Sequence, residues 1–293
     1  MYIKESGSGW YSIEPNTKLE FKRKIRLAKI GVFMHKNVNI YVFSGTGNTL
    51  LVANKISETF NKNSYNSTVL KMESVEPKQI DLNSTIGIGF TTACWNTFPF
   101  VRTWIDSLPD GNGAETFLFT SMGDSSFGMI AHIAKILEKK NYKIIGAKGF
   151  IMPNNFLLVL KDDKNIARIE KNLLKVEEYA KGIINGNGYI RKPNILSSIA
   201  FSVTSFVTTK LWKTKLAQKI MKFKIDKTKC NGCGSCAMLC PAENIEIKEV
   251  PQFKDKCVFC LRCVSYCPQQ ALSNKILLKT YRAVNLKDML WKK

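Results

Sequence analysis

Eight of the nine cysteines lie between residues 230 and 267, in two copies of one spacing. The first copy reads Cys230-x-x-Cys233-x-x-Cys236-x-x-x-Cys240-Pro241, and the second reads Cys257-x-x-Cys260-x-x-Cys263-x-x-x-Cys267-Pro268. Three thiolates separated by two residues each can wrap one face of a cubane cluster, and the fourth, set before proline, is turned away. Structural zinc would want ligand pairs separated by longer loops. Disulfides fit poorly as well, because a chain without a secretory segment belongs in a reducing compartment where thiols bind metal.

This doubled run resembles that of bacterial two-cluster ferredoxins. The resemblance implies that each run supplies three ligands and lends its fourth to the other cluster. Cys230, Cys233, Cys236 and Cys267 would then hold one [4Fe–4S] cluster, and Cys257, Cys260, Cys263 and Cys240 the second. Gly232 and Gly234 let backbone N–H groups approach the sulfurs of the first run. The bulkier Val258, Phe259 and Leu261 of the second would shield its cluster from water. Short strands are expected at Phe223–Asp226, Ile245–Ile247 and 272–278, giving a small α+β unit over residues 223–293.

At 293 residues the chain has room for a larger domain ahead of this unit. From Val38 the sequence alternates between strand and helix patterns. Val38–Phe43 is a short apolar run of the kind found in buried parallel strands. It ends in Ser44-Gly45-Thr46-Gly47-Asn48-Thr49 and then a helical segment, Leu50–Phe60. A strand, a glycine–hydroxyl turn and a helix N-terminus make an anion site. The turn lacks the Gly-Lys ending of a nucleoside-triphosphate loop and the Gly-x-Gly-x-x-Gly of a dinucleotide site, which leaves a mononucleotide phosphate. Ser44–Thr49 resembles the phosphate loop of flavodoxins, which implies FMN.

Further strands near Thr68–Met72, Thr85–Phe90, Glu115–Thr120 and Lys143–Phe150 complete a flavodoxin-like, doubly wound, five-stranded parallel sheet of order 2-1-3-4-5 over residues 34–190. Ligands of that order sit at the carboxyl ends of strands one, three and four. Two more loops are thereby selected, one with Thr91, Thr92, Ala93 and Trp95, the other with Ser121, Gly123, Asp124 and Phe127. Trp95 or Phe98 would stack on the flavin ring or else pack under the loop. Asp124 would face the pyrimidine edge or cap the helix that follows. Cys94 and His132 read as packing residues. Asp163–Ile184 carries an apolar face of Ile166, Ile169, Leu173, Val176, Ala180 and Ile183. Asn185–Gly188 and Pro193 mark a break, with residues 191–222 as connector.

Residues 1–33 differ from the rest and are read as an extension, either a basic arm or a segment upstream of a natural start at Met34. The net charge of +21 points to acidic partners, an anionic surface or nucleic acid. The basic residues are scattered through helices and loops, so a lysine-rich solvated surface is the favoured reading, and nucleic acid is the least favoured partner. No stretch reads as a membrane span; residues 195–215 suit peripheral contact at most. The protein is expected in the cytoplasm. The whole resembles bacterial fusions of a flavodoxin-like domain with a two-cluster ferredoxin domain. This implies electron transfer between FMN, the clusters and redox partner proteins in anaerobic-type metabolism. An FMN-dependent reductase of a quinone or small oxidant, a redox-sensing nucleic-acid binder and a flavin-free version of the fold are the alternatives.

Overall fold

The computed structural model describes residues 34–93, 96–126, 128–155, 159, 161–190, 199, 201, 203, 206, 214, 222–274 and 281–289. Expectations for residues 1–33, Cys94, Trp95, Phe127 and most of 191–221 lie outside these. Residues 35–293 form one compact unit.

Five strands build the larger sheet: β1 (Asn37–Val42), β2 (Asn66–Lys71), β3 (Thr85–Thr91), β4 (Glu115–Met122) and β5 (Lys143–Ile151). Their order is β2-β1-β3-β4-β5, and every pairing is parallel. The inner strands explain why their sequences read as unbroken apolar runs. Ile86, Ile88 and Phe90 of β3 and Phe117, Leu118 and Phe119 of β4 are all fully buried, as required of strands covered on both faces. The edge strands are less covered: β2 holds no fully buried residue, and β5 buries only Gly146, Ala147 and Phe150.

Four helices follow these strands: α1 (Asn48–Lys62), α2 (Pro99–Asp106), α3 (Met129–Lys139) and α4 (Asp162–Ile184). Helix α1 buries Leu50, Val52, Ala53, Ile56 and Phe60. Helix α2 has no counterpart in the sequence reading. It starts with Pro99 at its first turn, where the missing N–H costs nothing, and buries Val101, Trp104 and Ile105. Helix α4 packs on α1, and Lys55 meets Glu177 across that contact at 2.8 Å. Its buried face differs from the one expected. Ile166 is exposed while Asn165 and Asn172 are buried, because the helix is anchored mainly in its second half by Val176, Tyr179, Ala180 and Ile183.

The cysteine-bearing segment carries two small antiparallel ladders. Strand β6 (Lys224–Ile225) pairs with β9 (Leu272–Ser273), and β7 (Ile245–Ile247) with β8 (Pro251–Phe253). Short helices α5 (Ser235–Met238) and α6 (Arg262–Ser265) open inside the two cysteine runs, and α7 (Leu286–Met289) follows at residues beyond them.

Candidate redox site

The first thiol group surrounds a recess lined by Cys230, Cys233, Cys236 and Cys267. The sharing across runs thus has a geometric basis, since Cys267 of the second run faces three thiols of the first. Cys233 is exposed, and the Ser235 hydroxyl and N–H beside it draw its thiol below the ordinary range. Burial, with Cys267 and Cys233 nearby, pushes Cys236 up to about 11.

Cys240, Cys257, Cys260 and Cys263 form the second group. Burial dominates the upward shift of Cys257, Cys260 and Cys263, and the thiols also raise one another. Cys260 feels Cys240 and Cys257, and Cys263 feels Cys260, Cys257 and Cys240. Cys260 is half-buried as a residue, yet its thiol points inward and is pushed up to about 12. The Cys257, Cys260 and Cys263 thiols crowded in this way resist ionisation alone, and a cationic iron–sulfur core is the chemistry that relieves them. Among the described residues no three such groups converge on a single ion. The two copies also share N–H donors to sulfur: Asn244 N–H donates to Cys240 Sγ and Ala271 N–H to Cys267 Sγ, both at 3.3 Å.

The copies share a backbone but differ in the residues placed on it. Gly232 and Gly234 sit at φ 69° and 74°, and the matching positions Phe259 and Leu261 adopt the same left-handed region at 53° and 65°. A side chain there costs about 1–2 kcal/mol. The second run gains packing in return. Phe259 stacks on Phe223 with centroids 5.6 Å apart, Leu261 is buried, and Val258 and Cys260 pack against the core of the large sheet.

That packing brings the second run to the Ser44–Thr49 loop. Cys260 O lies against Gly45 so closely that a Cβ built at Gly45 would be 2.6 Å from it. Arg262, 4 % exposed, donates from Nε to Ser44 O at 2.7 Å and pairs with Glu73. Beyond the cysteines, Ala283 N–H donates to Thr46 O at 2.7 Å and Tyr281 Oη to Asn48 Oδ1 at 3.0 Å. With the carbonyls of Ser44 and Thr46 held outward, the loop keeps its N–H groups for its own interior.

Ser44, Thr46, Asn48 and Thr49 are all buried, and Ser44 Oγ accepts from Gly47 N–H at 3.1 Å and Leu50 N–H at 3.3 Å. Gly47, at φ 98°, forms the N-cap of α1. Asn155 Nδ2 donates to Thr46 Oγ1 at 2.8 Å. Thr49 Oγ1 meets Thr91 Oγ1 at 2.9 Å and Ser121 Oγ at 2.7 Å, which joins the three strand ends that sequence singled out. Thr92 Oγ1 meets Thr120 Oγ1 at 2.9 Å, and Ala93 is held by paired bonds to Asn96. Gly123 faces Asn154. Phe98 is buried edge-on to Phe43, which gives it the packing role. Asp124 is exposed and does not cap α3; the cap is Gly128, since the turn is tight enough to need a left-handed residue. His132 packs on Phe201.

Two orphaned hydroxyls test the fit of a nucleotide. Among the described residues Ser126 Oγ, in the third loop, is buried with no hydrogen-bond partner, and the buried Tyr266 Oη beside Gly47 finds no acceptor for its proton. The Val284 N–H faces that Tyr266 oxygen, but the hydroxyl proton still has no acceptor. Buried donors without acceptors at both ends of the loop cluster fit an anionic ligand bearing further polar atoms. Sequence reading missed Arg262, Tyr266, Tyr281 and Ala283. Only Arg262 left a signal, as a charge inside an otherwise apolar run.

Two cysteine quartets wrapped by paired α/β turns define an iron–sulfur electron-transfer module. Residues 222–276 match the family model described as a 4Fe-4S dicluster domain. The chain is 43% identical over 56 residues to a ferredoxin of Methanothermococcus thermolithotrophicus, spanning 93% of that protein and 17% of this chain. The chain belongs to the dicluster ferredoxin family through this region and carries two [4Fe–4S] clusters. Similar folds include a flavodoxin from the domain Archaea, at 17% identity and a TM-score of 0.36, over 50% of this chain and 99% of that one. Another is the rubredoxin oxygen:oxidoreductase of the anaerobe Desulfovibrio gigas, at 15% identity and a TM-score of 0.39. This chain spans 41% of that oxidoreductase. The flavodoxin-like architecture itself rests on strand order and direction.

Proposed function

We propose that the chain relays electrons between an FMN held at the carboxyl end of its sheet and two [4Fe–4S] clusters, and onward to redox partner proteins in the cytoplasm. The observation that carries this reading is the docking of the second cysteine run on the phosphate-type loop, with Cys260 O against Gly45 and Arg262 on Ser44 O. When bound, the clusters exchange single electrons and the flavin one or two. Cys230, Cys233, Cys236 and Cys267 hold the outer cluster in this reading, and Cys257, Cys260, Cys263 and Cys240 the inner one. Ser44–Thr49 with Tyr266 would hold the FMN phosphate. Thr91–Ala93 and Trp95 would lie along one side of the ring, and Ser121, Gly123, Asp124, Ser126 and Phe127 along its polar edge. Phe259, Leu261 and Val258 exclude water from the inner group, whereas exposed Cys233 leaves the outer one open to a partner. The charge of +21 favours acidic docking surfaces on that partner. The flavodoxin-like part spans 34–190, the connector 191–222 and the ferredoxin part 223–293 in this scheme, and the metabolism served is of anaerobic type.

Anaerobically purified protein should contain FMN and about eight irons. In rapid mixing, flavin reduction by the clusters should proceed at a rate independent of protein concentration. A rate that scales with concentration would refute an internal relay.

One observation favours peripheral membrane contact through 195–215. No helix among the described residues is long and apolar enough to cross a membrane. Ile199, Val203 and Phe206, however, are all exposed at helical spacing. Sedimentation with anionic vesicles, absent with neutral ones, is the expected result.

A further inference from the structure

The two cysteine runs are copies in spacing but not in charge. Between its second and third cysteines the first run has Gly234-Ser235, and the second has Leu261-Arg262. The guanidinium of Arg262 is buried at the meeting point of four segments. Its Nε donates to Ser44 O at 2.7 Å, its Nη1 pairs with Glu73 and reaches Leu239 O at 3.3 Å, and its Cζ lies 4.7 Å over the Phe43 ring. Leu239 immediately precedes Cys240, the ligand lent by the first run. Arg262 thus sits between Cys260 and Cys263 in sequence and meets the backbone one residue before Cys240. Near the first group the ionic neighbours Asp226 and Lys229 form an exposed pair at 3.4 Å, where water screens them.

We propose that Arg262 is a positioning residue for the inner cluster, anchoring its ligand frame to the Ser44–Thr49 loop and raising its reduction potential above that of the outer cluster. This rests on the ligand assignment given above. An electron added to a cluster is a negative charge, and a fixed cation in a low-dielectric interior stabilises it more than an exposed one does. Arginine suits the task because it cannot shed its proton. Glu73 balances the cation from the far side. Among the described residues its second oxygen, Oε2, is buried without a partner, so the carboxylate is held through its pair with Arg262. Through Leu239 O, next to Cys240, it is the guanidinium and not the carboxylate that meets the ligand frame.

The order of potentials that results has a functional meaning. An electron entering at the exposed outer cluster runs downhill to the inner one beside the loop.

The test is a potentiometric titration of the anaerobic full-length holoprotein, followed by electron paramagnetic resonance. Wild type is compared with Arg262→Gln, Arg262→Lys and Glu73→Gln. Cys233→Ser identifies the outer cluster by altering its signal. Arg262→Gln should lower the inner potential, Arg262→Lys should restore most of it, and Glu73→Gln should raise it, all with the outer potential unmoved. Shifts of one sign in the Gln variants at both positions, or equal movement of both clusters, would overturn the proposal, since lost packing alone predicts either. If Arg262→Gln fails to assemble, the Lys and Glu73 variants carry the same sign test. The titration is repeated on protein stripped of FMN. A sample that never held flavin would sink the flavin reading and leave the potential shift standing.

Discussion

The two cysteine runs solve one problem in opposite ways. The first uses glycine where the backbone turns left-handed, leaves Cys233 exposed and faces solvent across an open recess. The second accepts Phe259 and Leu261 at the same backbone positions, and through Val258, Cys260 and the buried Arg262 it grips the large sheet. Ligand spacing is indifferent to this choice. What differs is what each cluster can touch, water and a passing protein on one side, the interior of its own molecule on the other.

If the inner run does bind the molecule together, removing one of its ligands should do the most damage. Cys263→Ser is expected to lose about half the iron and to lower the unfolding temperature well beyond the effect of Cys233→Ser. Iron analysis with differential scanning calorimetry measures both, and equal destabilisation would erase the contrast.

The contact itself can be broken without touching a ligand. Gly45→Ala forces a methyl group against Cys260 O and should cost about 1–3 kcal/mol, read as a fall in denaturant midpoint. A neutral result would mean that the run does not sit on the loop in solution.

Backbone preference gives a subtler contrast. Gly234→Ala meets only Ile247 at 4.0 Å, so its cost is conformational, about 1 kcal/mol. Leu261→Gly relieves the same conformation but empties a buried site. It should therefore lose about 1–3 kcal/mol net, the larger of the two. Paired denaturant titrations decide the order.

The smallest effect is chemical. In iron-free protein that keeps its near-ultraviolet dichroism, Cys233 should be alkylated first at neutral pH and Cys260 and Cys263 last, because the first thiol is drawn below and the other two are held above the usual range. The stability sign follows. Cys260 binds its proton more tightly folded than unfolded, so its contribution is intact below pH 9.0 and fades as pH climbs toward about 12. Mass spectrometry of partially labelled protein gives the order, and an alkaline rise in stability would contradict it.

The cysteine spacing and the five strands could be read from residues because both are local patterns, one of ligands and one of apolar runs bounded by glycine. Ser44–Thr49 was legible for the same reason. Arg262, Tyr281 and Ala283 were not, since their partners lie far away in sequence and nothing in a neighbouring residue announces them. The face of α4 was misread where it overhangs the sheet: Ile166 has the right spacing but no surface to meet, while Asn165 turns in. Asp124 looked like a cap only because the tight turn at Gly128 was invisible.

Tyr281 reaches Asn48 across 233 positions of chain, and this separation sets a schedule. The ribosome completes the loop long before it completes the residues that brace it from outside. Until Tyr281 and Ala283 are made and the cysteine segment has folded around its iron, the loop has neither brace nor lid. Maturation would thus run backwards along the chain, and a shortage of iron would leave the Ser44–Thr49 turn without its outer brace.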